Sequence, residues 1–262
     1  MDSRTARRAS TDAMAAVAAY GIAGVWLSAA YTANLEIRAM CMAAGTLVIG
    51  HATASILQRS PRRSTPADRV TLLRAVLVAC CAVLTVPGLF TGRPPGPALA
   101  VVGTVAFLLD AVDGPVARRT GTASAAGARL DTGTDAALVL VLSCATAGPV
   151  GPWTLAIGLL YYAFVAAGRF RPHLRGPLPA SPARKAIGAF QPFALLLALA
   201  PGVPPWLALL GPAMALPLLV VSFARDTAEL ERLHRRPPAE THPDLNHGRN
   251  HEKNYLDDAG VP

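Results

Sequence analysis

Apolar stretches of about twenty residues recur along the chain, at 13–33, 39–57, 71–90, 97–117, 131–147, 153–168, 186–203 and 206–224. A helix rising 1.5 Å per residue needs about that many to cross the roughly 30 Å hydrocarbon core of a bilayer. Each stretch reaches or approaches this length, so the chain is expected to be an all-α, polytopic membrane helix bundle of eight helices. Composition agrees: 52% of the 262 residues are hydrophobic, 15% are charged, and mean hydropathy is +0.38. That is too apolar for an ordinary soluble domain. The first stretch is long and lacks a convincing cleavage site, so it reads as a span and not as a secretory signal.

Basic residues mark one side of the bundle. Arg4, Arg7 and Arg8 precede the first span, and Arg59, Arg62, Arg63 and Arg69 follow the second. Arg118, Arg119 and Arg129 follow the fourth, and Arg169, Arg171, Arg175, Arg184 and Lys185 follow the sixth. The other side holds only Arg38 and Arg93, in short connections such as 92–96 and 148–152. The positive-inside rule therefore expects both termini and the segment 110–135 at the cytoplasmic face, and the expected location is the plasma membrane. Trp26, Trp153 and Trp206, near span ends, read as interfacial anchors.

A pI near 9.9 would also suit a nucleic-acid binder. Here the basic residues border apolar spans and form no single soluble patch, which excludes that class and favours anionic lipid headgroups and phosphate-bearing substrates. Cys41, Cys80, Cys81 and Cys144 lie inside the spans with no Cys-x-x-Cys spacing and read as small packing residues. Residues 225–262 are different material, mixed in charge and rich in Pro, His and Asn. Their first part, Asp226 to Leu233, can continue the last helix, and the remainder from Pro237 reads as a disordered tail in which His242, His247 and His251 are solvated.

Between Asp68 and Asp226 the only acidic residues are Asp110, Asp113, Asp131 and Asp135. Four carboxylates in an acid-free, apolar stretch repel one another and are costly to desolvate, unless divalent cations neutralise them. Asp110 and Asp113 are i and i+3 near the end of one span, and Asp131 and Asp135 are i and i+4 at the start of the next. The small residues between Arg119 and Leu130 let the chain turn back, so the two pairs can face each other across a helix–helix groove. Hard oxygen ligands in that number suit Mg²⁺ or Mn²⁺, and two such ions stabilise phosphoryl-type transfer. Gly114 and Gly127 leave room for a ligand at the backbone, and Arg118 offers a fixed cation to a phosphate. Acids inside a membrane alone would also allow a cation transporter, a reading that the fixed glycines, alanine and arginine disfavour.

The whole pattern, Asp110-x-x-Asp113-Gly114-x-x-Ala117-Arg118-x8-Gly127-x3-Asp131-x3-Asp135, resembles the signature of the CDP-alcohol phosphotransferase (phosphatidyltransferase) family, with every fixed position present. The resemblance covers about residues 66–224. It implies a six-helix core over 61–224, an added N-terminal hairpin over 1–60, a cytoplasmic tail over 225–262, and a homodimer. The implied reaction moves the phosphatidyl group of a CDP-alcohol, such as CDP-diacylglycerol, to an acceptor alcohol with release of CMP. Asp110, Asp113 and Asp131 resemble the metal-binding aspartates, and Asp135 resembles a residue that also acts as general base. Gly114, Arg118, Ser124 and Gly127 resemble positions that hold CDP. Asp68-x-x-Thr71-x-x-Arg74 is similar to the family's entry to its first core helix, which lines the nucleotide pocket. Lys185 and Gln191 resemble part of a downstream stretch from which Ile187 and Gly188 depart. Relatives that use glycerol 3-phosphate or inositol phosphate carry a basic residue directly after the last aspartate, where this chain has Ala136. Arg169, Arg171 and Arg175 still favour a phosphorylated acceptor, glycerol 3-phosphate before inositol phosphate, although positive-inside anchoring explains them as well. A catalytically inactive relative is the remaining alternative, and the intact motif gives it no support.

Overall fold

The computed structural model describes residues 2–59, 64–119, 121, 124–171 and 181–235, with the backbone alone at 2–6, 112–119 and 233–235. The described residues form eight α-helices: α1 (Asp2–Tyr31), α2 (Leu35–Leu57), α3 (Pro66–Thr91), α4 (Pro97–Arg119), α5 (Ala125–Thr146), α6 (Leu155–Phe170), α7 (Pro182–Leu199) and α8 (Pro205–Arg235). A short 3₁₀ turn, Pro152–Thr154, leads into α6, and no strand occurs among the described residues. Helix α8 runs past Asp226 as the sequence suggests. The tail from Pro237, with His242, His247 and His251, lies outside the described residues.

Local chemistry sets the helix ends. The Asn34 side chain accepts from the Glu36 and Ile37 amides to start α2. Thr65 and Asp68 form a capping box at the start of α3, with Pro66 in the first turn. Gly92, at φ 65°, takes the left-handed conformation that closes α3 and bonds back to the Gly88 carbonyl.

Among the described residues, five segments are long and apolar enough to cross a membrane: Arg7–Tyr31, Leu35–Leu57, Pro66–Thr91, Pro152–Phe170 and Pro205–Arg232. The chain is a multi-pass membrane protein. The three remaining helices fall short for a chemical reason. The apolar part of α4 is the shorter Pro97–Ala111, α5 carries Arg129, Asp131 and Asp135, and α7 opens with Arg184 and Lys185.

Helix α3 is the hub. Its apolar window is 83% buried, against 22–33% for the other four, so the others present most of their surface outward. One hydrophobic cluster joins α3 to α1 and α2 through Tyr20, Ile49, Leu72 and Ala79. A second joins it to the later helices through Val78, Ala106, Leu142, Ile157 and Leu195. The N-terminal hairpin is thus packed along α3, and α2 also reaches α5. Close approaches need small residues: a Cβ on Gly158 of α6 would meet the Leu140 Cα of α5 at 2.6 Å.

The ion pairs among the described residues gather at one end of the bundle. They link Asp12 to Arg69, Arg59 to Asp68, Arg74 to the motif aspartates, Arg171 to Glu231 and Arg184 to Asp226. In helical terms this end holds the starts of α1, α3, α5 and α7 and the ends of α2, α4, α6 and α8.

Candidate active site

Two helices supply the described carboxylates. Asp110 lies on the later part of α4, and Asp131 and Asp135 stand one turn apart near the start of α5. One oxygen from each lies within 4.8 Å of the others. The facing arrangement expected from spacing is present for these three. Asp113, Gly114 and Arg118 share α4, but their side chains lie outside the described residues.

The cluster closes on Arg74, a residue that the spacing argument did not place there. Its guanidinium is completely buried, while Asp110, Asp131 and Asp135 are 38%, 38% and 45% exposed. Nη1 donates to Asp110 Oδ1 at 2.7 Å and to Asp131 Oδ1 at 2.9 Å. Nη2 donates to the Asp131 carbonyl at 3.4 Å and also to Asp135 Oδ1. The arginine is therefore a floor beneath three carboxylates whose other faces stay accessible. One guanidinium cannot balance three carboxylates, and the remaining oxygens are hard donors suited to a divalent cation. Asp110, Asp131 and Asp135 could hold a metal ion between them.

A second polar layer lies about 9 Å along α3, the rise from Arg74 back to Asp68, and about a third of a turn around it. Asp68 is 2% exposed, and its Oδ2 accepts from Arg59 Nη1 at 2.9 Å, the Thr65 amide at 2.9 Å and the Thr65 hydroxyl at 2.8 Å. Thr71, between the layers, is buried and donates to the Ala67 carbonyl at 3.1 Å. Across from Asp68, Ser124 caps α5 by accepting from the Gly127 amide at 3.0 Å. A Cβ on Gly127 would stand 3.7 Å from Asp68 Oδ1, so this corner is close-fitting. Asp68 and Thr71 on α3, and Ser124 and Gly127 at the start of α5, thus stand on the same two helices as Arg74, Asp131 and Asp135, with Asp68 close to Gly127.

The basic residues expected at the acceptor are placed less directly. Arg169 is exposed at the end of α6, and Arg171 donates to Glu231 of α8 at 3.1 Å. Arg175 lies outside the described residues. Lys185 is exposed near the start of α7, and Gln191 is partly buried further along it. Between α7 and α8 lies a cavity of about 210 Å³ lined by Ser181, Arg184, Ile187, Ser222, Arg225 and Asp226, and no motif aspartate reaches it.

Sequence reasoning passed over one contributor, just beyond α2. Arg59, two residues past the end of α2, donates to Asp68 at 2.9 Å. The signal for Arg74 was available: an arginine inside an apolar run needs buried partners. Arg59 carried no such signal, because a basic residue beside a span end is already explained by membrane topology.

The family model for CDP-alcohol phosphatidyltransferases matches residues 64–222, more than half of the chain. The chain belongs to that family. No curated protein and no solved structure matches it. This CDP-alcohol phosphatidyltransferase is accordingly a phospholipid-synthesis transferase that uses a CDP-alcohol donor and an alcohol acceptor. The match includes α3 to α7 and most of α8, with Arg74 and the whole carboxylate cluster, and it leaves out α1 and α2.

Proposed function

We propose that this phosphatidyltransferase moves the phosphatidyl group of CDP-diacylglycerol to a phosphorylated acceptor alcohol at the cytoplasmic face of the plasma membrane. The observation that carries the reading is the convergence of Asp110, Asp131 and Asp135, accessible on one side and fixed by buried Arg74 on the other. The acceptor hydroxyl oxygen bonds to the β-phosphorus, the phosphorus–oxygen bond to CMP breaks, and CMP leaves with that electron pair. Asp135, the most exposed of the three, takes the hydroxyl proton as general base. Arg74 orients Asp135 and Asp131 for these roles by donating to both.

Asp110, Asp113, Asp131 and Asp135 would hold two Mg²⁺ ions, with Mn²⁺ as a substitute. Such ions supply charge neutralisation for the diphosphate and the departing CMP. The corner made by Asp68, Thr71, Gly114, Arg118, Ser124 and Gly127 receives the CDP moiety. Glycerol 3-phosphate is the preferred acceptor, inositol phosphate the next, with Arg169, Arg171 and Arg175 as phosphate partners. Cytoplasmic orientation is supported by the basic residues that collect at the carboxylate end. The catalytic unit is the core over 61–224, and the protein works as a homodimer.

The test is CMP release by purified protein in liposomes that contain CDP-diacylglycerol, with Mg²⁺ or Mn²⁺ and a panel of acceptors. Release that depends on acceptor and stops with chelator supports the reading, and no release with any acceptor sinks it. Mass spectrometry of membranes with and without the protein names the acceptor through the headgroup class that changes.

A further inference from the structure

The hairpin α1–α2 lies outside the family match, yet both of its helices are clamped to the entry of α3. From α1, Asp12 accepts from the Ser64 hydroxyl at 2.7 Å and from Arg69 Nε at 2.9 Å. From the end of α2, Arg59 does more than tie one helix to another. Its Nη1 donates to Asp68 of α3 at 2.9 Å, and its Nη2 donates to the Ala126 carbonyl in the first turn of α5 at 3.3 Å. One largely buried guanidinium thus fixes the corner where α3 and α5 meet, next to the Ser124–Gly127 turn.

The electrostatics of this corner matter for an anionic donor. Asp68 is buried, and a bare carboxylate there would repel a diphosphate arriving at Gly127. The Thr65 amide and hydroxyl are neutral donors, so they solvate the carboxylate without cancelling its charge. Arg59 is the cation that the structure shows against it. The same turn begins α5, and Asp131 follows Ala126 by five residues on that helix. A shift of the turn therefore carries the motif carboxylates with it.

We propose that Arg59 is a positioning residue for the CDP-linked donor, supplied by the N-terminal hairpin, which makes the hairpin a working part of the site. This rests on the reaction proposed above. Arg59 acts through Asp68 and through the first turn of α5: it neutralises the one and holds the other.

The experiment compares full-length wild type, Arg59→Gln, Arg59→Lys and Asp12→Asn in liposomes, by donor KM, acceptor KM and thermal unfolding. Arg59→Gln should raise the donor KM about tenfold or more and lower kcat as well, because misplacement near 1 Å of the reacting groups costs on the order of a hundredfold in rate. The acceptor KM should stay at the wild-type value. Arg59→Lys restores the charge without the two-way fork and should fall between the two. Asp12→Asn loosens the hairpin at its other clamp and should lower thermal stability with no change in donor KM. If Arg59→Gln does not fold, Arg59→Lys against wild type decides the matter by the same readouts. Arg59 variants that unfold at lower temperature but keep the wild-type donor KM make the residue a structural tie and overturn the proposal. Wild type that releases no CMP overturns the reaction itself, an outcome separate from an unchanged KM in an active enzyme.

Discussion

Arg74 shows what a single buried charge does in this molecule. In an apolar helix it is tolerated because three carboxylates surround it, and its guanidinium ties those carboxylates to one another. Arg74→Met should therefore destabilise the protein by about 2–3 kcal/mol, below the full cost of breaking a buried pair because the aspartates are partly exposed. Thermal unfolding in detergent measures this. Mg²⁺ or Mn²⁺ should stabilise Arg74→Met more than it stabilises wild type, since the divalent ion then has the carboxylates to itself; equal stabilisation would contradict the placement. Asp135→Asn keeps a similar shape while losing the base. It should lower kcat by about 10²- to 10⁴-fold with donor binding retained, read by CMP release beside a CDP-binding measurement.

At the scale of elements, the site depends on how α3 begins and how closely α5 is packed. Thr65 caps α3 and also gives Asp68 two of its donors, so Thr65→Ala removes the cap and the hydroxyl donor together. A loss of about 1–2 kcal/mol is expected in thermal or denaturant unfolding, at the upper end for a cap because a buried carboxylate is involved. On the far side of α5, Gly158 lets α6 approach the Leu140 backbone. Gly158→Ala places a methyl against main chain that cannot rotate away, so about 1–3 kcal/mol should be lost by the same measurement. An unchanged unfolding temperature would mean that α5 and α6 are not held at this distance.

At the scale of the whole molecule, charge is segregated: ion pairs occupy one end of the bundle, and glycine- and proline-rich connections occupy the other. Anionic headgroups and the membrane-insertion machinery both favour basic loops inside. Single cysteines introduced at Asn34 and Gly148 in a cysteine-free variant should react with an impermeant maleimide from outside intact cells. One at Ser181 should react only after the membrane is opened. The reverse pattern would put the carboxylates outside, away from a cytoplasmic CDP-linked donor.

The eight helices among the described residues follow the eight apolar runs in order, but only five are long and apolar enough to cross a bilayer, because the other three are cut short by charged residues. The pairing of Asp131 with Asp135 was legible too, since i and i+4 share a helix face whatever surrounds them. Their convergence with Asp110 was an expectation from a short, flexible connection, and the packing of α4 and α5 against α3 is what realises it. An arginine inside an apolar run announces that it needs buried partners, but not which ones. Arg74 stands 36 residues from Asp110 and 61 from Asp135. Arg59 meets Ala126 across 67 residues. No local period encodes such pairs; they exist because α3 is the wall shared by every early helix, and only the folded bundle decides which polar groups that wall brings face to face.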